Sequence, residues 1–235
     1  MLSMWSIVLL VILLLIIIII VLLISSSSVT YYPAVNIGNG GAATPTPANS
    51  GVCRVAINST ATYSVPTGYV FIGNWTFGAN SGVTLSNNSQ TATIANPSMN
   101  QAILVGTTAL TGKTMISYTT TWPGYSESIG VGVCSGTFNA VATNNGGNYL
   151  GYNSQAFALY DDGYQYSNGD TIATNGPRFE KTNGTNVVDM CVDVPNKLVW
   201  LRVDNGPWNA VAGTDPALSS STVTGGGLSL SCVTN

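Results

Sequence analysis

From Ile7 to Ile24 the chain carries no polar side chain: "IVLLVILLLIIIIIVLLI" is 18 apolar residues in succession. A helix of that length spans about 27 Å, close to the hydrocarbon thickness of a bilayer. Met4 and Trp5 extend the run, and Trp5 suits the interface. A cleaved signal peptide is the alternative, but its apolar region usually covers roughly 7–15 residues after a basic start. This run is longer and no Lys or Arg precedes it, although "SSSS" at 25–28 offers small residues that permit cleavage. Residues 1–24 therefore read as a retained transmembrane anchor in contact with lipid through 7–24. Flanking charge gives no orientation, because the first charged side chain is Arg54.

Beyond the anchor the pattern changes twice. Residues 25–50 are rich in Ser, Gly, Pro and Ala without charge or long periodicity, and read as a flexible stalk, locally stiffened at "TPTP". From residue 51 to 235 short runs of Val, Ile, Thr and Tyr recur between Gly, Asn and Pro. In "VVDMCVDV" the residues Val188, Met190, Val192 and Val194 share one face. "LVWLRV" sets Leu198, Trp200 and Arg202 opposite Val199, Leu201 and Val203. No stretch after residue 24 sustains a helical period. The expected fold is all-β, a two-sheet antiparallel sandwich preceded by one N-terminal transmembrane helix.

Composition narrows the function. Only 6% of the residues are charged, against about 25% in ordinary soluble domains. The six Lys and Arg are scattered, so no basic cluster exists to neutralise phosphates, and nucleic acid is not an expected partner. There is no histidine, which removes every site built on imidazole. Polarity comes from Asn, Ser, Thr and Gly, a composition common on secreted, cell and virion surfaces. Four cysteines, Cys53, Cys134, Cys191 and Cys232, allow two disulfides in an oxidising compartment or four free thiols otherwise.

An ordered series of motifs begins at residue 112. Gly112-Lys113 opens one strand and Gly130–Val133 forms a second. Phe157–Tyr160 leads to an Asp162-Gly163 turn and Asn168-Gly169. Val187–Asp193 then precedes Leu198–Val203, which ends in Asn205-Gly206. This order, from 112 to 208, resembles the SPRY (B30.2-like) family. The resemblance implies a concanavalin A-like sandwich that binds proteins, or in related folds sugars, through loops and does not catalyse. Residues 53–111 and the loop 137–148 have no clear counterpart. In such a fold the first and last strands commonly lie side by side, which implies a Cys53–Cys232 bridge and leaves Cys134–Cys191 as the other pair.

The densest chemistry lies in "FALYDDGYQYSNGDTI". Asp161, Asp162 and Asp170 do not follow the spacing of a helix–loop–helix calcium site, and Asp-Gly and Asn-Gly read as hairpin turns. Tyr160, Asp161, Asp162, Tyr164, Tyr166, Asn168, Asp170 and, further on, Trp208 form the expected binding rim, since tyrosine adds contact area at little entropic cost. A glycosidase needs two carboxylates at a set separation. Only Glu127 and Glu180 occur as glutamates, and Asp189 and Asp193 are the one pair expected on a shared face. No catalytic residue, metal or cofactor is expected. Sequons stand at Asn58, Asn74, Asn87 and Asn183. The expected function is non-enzymatic: a single-pass membrane protein displaying a SPRY- or lectin-like sandwich, structural or binding, its domain extracytoplasmic or on a virion. The partner is then a capsid or surface neighbour or a glycan. Recognition of a glycan or host protein is the alternative, and a glycoside hydrolase ranks last.

Overall fold

The computed structural model describes residues 4–25, 29–38, 52–78, 83–95, 102–121, 128–140, 149–179, 184–222 and 225–234. The apolar N-terminal run forms one helix, α1 (Met4–Ser25), of 22 residues with no charged side chain. Side chains along it are described at 4–6 and 8–18, and all of these are exposed. Among the described residues no helix is long and apolar enough to cross a membrane. The 22 residues of α1 extend about 33 Å. The structure thus establishes an uncharged helix, and the span expected over 7–24 goes beyond it.

The rest is mostly strand: β1 (Tyr31–Gly38), β2 (Val52–Ile57), β3 (Val70–Phe71), β4 (Thr84–Ser86), β5 (Thr91–Ala95), β6 (Ala102–Val105), β7 (Lys113–Thr121), β8 (Ser128–Ser135), β9 (Ala156–Tyr160), β10 (Gln165–Ser167), β11 (Asp170–Ala173), β12 (Thr185–Asp193), β13 (Leu198–Val203) and β14 (Leu228–Ser229). One sheet has the order β11-β10-β9-β8-β1-β6; the other runs β14-β13-β12-β7-β2-β5-β4. Pairing is antiparallel throughout, except that short β3 lies parallel to β7. Two packed antiparallel sheets are what the alternating runs foretold.

One expectation fails at the start of the domain. Residues 31–38, assigned to the flexible stalk by composition, form β1, which lies inside its sheet between β6 and β8. Its alternation of Tyr31, Val35 and Ile37 toward the core against Ala34 on the other face is a strand signal. Neighbouring Pro and Gly obscured it, and Pro33 sits within the pairing to β8. Residues 39–50 of the expected stalk lie outside the described residues.

Burial is layered. Between the sheets lie Val35, Ile37, Val55, Ile94, Ile116, Tyr118, Val131, Phe157, Val188, Met190, Val192 and Leu201, all essentially inaccessible. Each such side chain stabilises the fold by roughly 1.5–3 kcal/mol relative to exposure. The outer faces are also covered. On the six-stranded sheet Ala34, Ile103, Cys134, Ala156, Ala158 and Tyr160 pack beneath Leu150. On the other sheet Met115, Cys191, Leu198 and Trp200 pack beneath Tyr69 and Trp208.

This layering corrects the expected disulfides, because all four cysteines are free thiols. Cys134 belongs to the outer cluster of one sheet and Cys191 to that of the other, so the sandwich separates them. Nor do the first and last strands meet. Sheet order puts β2, which carries Cys53, four strand positions from β14, which precedes Cys232. At about 4.8 Å per strand that is roughly 19 Å between the strands, against an upper limit near 6.8 Å for bridged Cα atoms.

Candidate functional site: a tyrosine terrace beside the acidic hairpin

The site grows from two glycines. Gly130 and Gly132 point to the outer face of β8, opposite Val131 and Val133. A Cβ on Gly130 would lie 2.7 Å from the Tyr160 ring, and one on Gly132 would run into the Phe157 carbonyl. The bare glycine face thus lets Tyr160 lie flat across the sheet, where its hydroxyl donates to the Leu150 carbonyl at 3.1 Å. Burial pushes that phenol far above its ordinary range.

Two tight turns carry the remaining side chains outward. Gly163 at φ 83° closes the β9–β10 turn, its N–H donating to the Tyr160 carbonyl at 2.9 Å. Asp162 Oδ1 accepts from the Tyr164 N–H at 3.0 Å, which rigidifies the same turn. Asn168 at φ 56° and Gly169 at φ 76° make the β10–β11 turn, with both central residues at positive φ. These are the hairpins expected from Asp-Gly and Asn-Gly.

On that frame five tyrosines touch. Tyr149 meets Tyr152, Tyr160 and Tyr166 edge-on, with centroids 5.5, 5.9 and 5.0 Å away. Tyr160 meets Tyr166 at 5.5 Å. Tyr164 stacks on Tyr166 at 6.1 Å and 18°. Tyr160 is the buried floor, while Tyr152 is 49% and Tyr164 is 37% exposed. Burial raises the Tyr149 hydroxyl, with help from Tyr152 and the Asp170 carboxylate. Burial raises Tyr166 as well, and there the Asp162 carboxylate adds to it. Both aspartates therefore project their field onto the rings.

The expected rim divides. Tyr164, Tyr166, Asp162, Asn168 and Asp170 come together with an accessible edge. Tyr160 and Asp161 are buried; the Asp161 backbone bonds Ile129 and Phe179, so it ties the turn to the body. Trp208 belongs to the opposite sheet, where the Arg202 guanidinium lies 4.3 Å from its ring. Sequence reasoning missed Tyr149 and Tyr152. Their signal is the pair in "NYLGYN", held by Gly151 at φ 92°, where a Cβ would come within 2.7 Å of the Tyr166 carbonyl.

Asp189 and Asp193 share the outer face of β12 as expected, but each is engaged. Arg202 Nε donates to Asp189 Oδ2 at 2.8 Å, and Nη2 donates to the Ser64 carbonyl at 2.9 Å. Asp193 accepts from the Asn196 side chain at 2.9 Å and faces Lys113 Nζ at 3.9 Å. Four residues of strand also set their backbones about 13 Å apart, beyond the separations glycosidases use. Among the described residues no group of three or more His, Cys, Asp or Glu could hold a metal ion.

A shallow cleft of about 280 Å³ lies between Pro177, Arg178, Val203, Asp204 and Pro207. Its carboxylate is already used, since Asp204 accepts from Asn186 Nδ2 and the Val187 N–H, both at 2.7 Å. Of the sequons, Asn58 is bound on both sides of its amide, donating to Ser117 Oγ and accepting from Thr119 Oγ1. Asn74 and Asn87 are exposed. Asn183 lies outside the described residues. The chain matches no protein-family model, no curated protein and no solved structure.

Proposed function

We propose that this chain is a membrane-tethered, non-enzymatic protein that displays a β-sandwich whose working surface is the tyrosine terrace. One observation carries the reading: an accessible, acid-flanked cluster of five touching tyrosines on a rigid sheet whose other outward side chains are largely covered. Buried tyrosines serve packing; rings left 37–49% exposed beside carboxylates offer contact area to a partner. The tether is the uncharged helix α1, whose described side chains stand in solvent and need an apolar cover such as lipid. Low charge and Asn/Thr-rich loops support an extracytoplasmic or virion-surface setting as a structural or recognition component. The order of motifs from residue 112 to 208 supports a SPRY-like, concanavalin A-like sandwich. Against turnover stand the engaged states of Asp189 and Asp193.

The full chain reconstituted in nanodiscs, with Tyr152→Ala/Tyr164→Ala alongside, tests this. Wild type captures a protein or glycan partner at saturating stoichiometry, the double variant loses at least tenfold in affinity, and neither releases sugar from polysaccharide. Equal capture by both proteins would remove the terrace from function. Polysaccharide cleavage at an enzymatic rate would overturn the non-enzymatic reading. Protease protection of residues 51–235 in sealed vesicles reports the side of the membrane.

A further inference from the structure

The terrace is an edge-to-face cluster on which Tyr164 stacks against Tyr166, and with its negative field it is a surface rather than a cage. Its rings touch at 5.0–6.1 Å, so nothing fits between them, and a ligand must lie on top. Asp170 is exposed, and its negative charge acts on the Tyr149 hydroxyl. Asp162 spends Oδ1 on the Tyr164 N–H, which leaves Oδ2 an acceptor beside that ring.

Among the described residues no cation lies over a terrace ring. The cation–π contacts among the described residues, Lys113 on Tyr69 and Arg202 on Tyr63 and Trp208, belong to the other sheet. Arg178 backs the Asp162–Gly163 turn without lying over a terrace ring. The opposite sheet also shows the chemistry such rings support in this protein. There a planar guanidinium lies over the Trp208 ring at 4.3 Å and near the Tyr63 ring at 5.6 Å while bonded to a carboxylate.

We propose that the terrace, if it is the working surface described above, receives an arginine side chain presented by a partner protein, its guanidinium plane on the Tyr164 ring and its N–H groups donating to Asp162 and Asp170. Guanidinium is favoured over ammonium because it is planar, more weakly hydrated, and able to stack and bond a carboxylate together. A neutral sugar would use the rings but leave the two carboxylates uncompensated.

The test uses the full chain in nanodiscs of neutral lipid. The probes are a nine-residue Gly/Ser peptide carrying three arginines, its three-lysine counterpart, and a panel of neutral oligosaccharides. The arginine peptide binds at least fivefold more tightly than the lysine peptide. Tyr164→Ala abolishes that preference, Tyr164→Phe keeps it, and Asp162→Asn/Asp170→Asn weakens binding about tenfold. Thermal melting confirms that each variant is folded. Equal affinity for the two peptides would reduce the effect to diffuse charge attraction and overturn the proposal. Oligosaccharide binding lost in Tyr164→Ala, without peptide binding, would overturn the arginine assignment while sparing the terrace as a binding surface. Binding of neither probe would overturn the arginine proposal.

Discussion

Arg202 shows how one side chain can hold several segments together. It pairs with Asp189 across the β12–β13 register, bonds Ser64, and lies over the rings of Tyr63 and Trp208. Those partners come from two loops, so the guanidinium clamps both onto the outer face of the sheet. Arg202→Ala leaves a buried carboxylate without its cation and should cost about 3–5 kcal/mol. Chemical denaturation of the full chain in detergent would register this as a lower midpoint. A drop below 1 kcal/mol would show that the pair contributes little. Methionine at 202 together with leucine at 189 should recover much of the loss, because it removes both charges at similar volume. The alternation of "LVWLRV" placed Arg202 with Trp200 and Leu198, and Asp189 opposite the Val188 set. Register, which pairs the two, is set by strands far apart in sequence.

Among the strands, β1 changes the boundaries of the domain most. It contributes Tyr31, Val35 and Ile37 to the inner core and sits between β6 and β8. Chain truncated to residues 51–235 would therefore lack an interior strand and expose the facing edges of β6 and β8. That fragment should aggregate or lack a cooperative unfolding transition, whereas residues 29–235 should unfold cooperatively; circular dichroism and size exclusion report the difference. A monomeric, cooperatively folded 51–235 fragment would contradict the topology. The hairpins behave differently. Asp162-Gly163 and Asn168-Gly169 form turns as their local chemistry requires, since positive φ is a property of one or two residues. A strand bearing proline and flanked by glycine carries no comparable local mark.

Across the molecule, both outer faces and the core between the sheets hold buried ionisable groups, and this makes the fold sensitive to alkali. Burial pushes the Cys134 thiol up to about 12 from 9.0. Cys191, Tyr118 and Tyr160 move in the same direction, again chiefly through burial. A raised folded pKa means that the native state holds its proton more tightly than the unfolded chain. For Cys134 the associated stability is complete below about pH 9 and is lost as pH rises toward 12, at about 1.4 kcal/mol per pH unit. Cys191 begins to add to the loss above about pH 9 and the two phenols above about pH 10. Melting temperature should hold up to pH 8.5 and fall steeply by pH 10.5, with Cys134→Ala shallower by one proton. A flat profile would show that the thiol is accessible in the folded state.

The apolar run at 7–24, the β character of the remainder, the facing of Val188 and Asp189, and the hairpin turns were all legible along the chain. Each depends on neighbours within a few residues. Strand order was not: only the folded chain places β1 inside a sheet, sets β2 four positions from β14, and faces Cys134 and Cys191 away from each other. The terrace is of the second kind. Tyr149 reaches Tyr160 and Tyr166, with Tyr152 against its own ring, because Gly130 and Gly132 leave a bare patch on the adjacent strand. Such a patch exists only once β8 and β9 have paired, for contacts between distant segments are chosen by how faces pack and not by local periodicity.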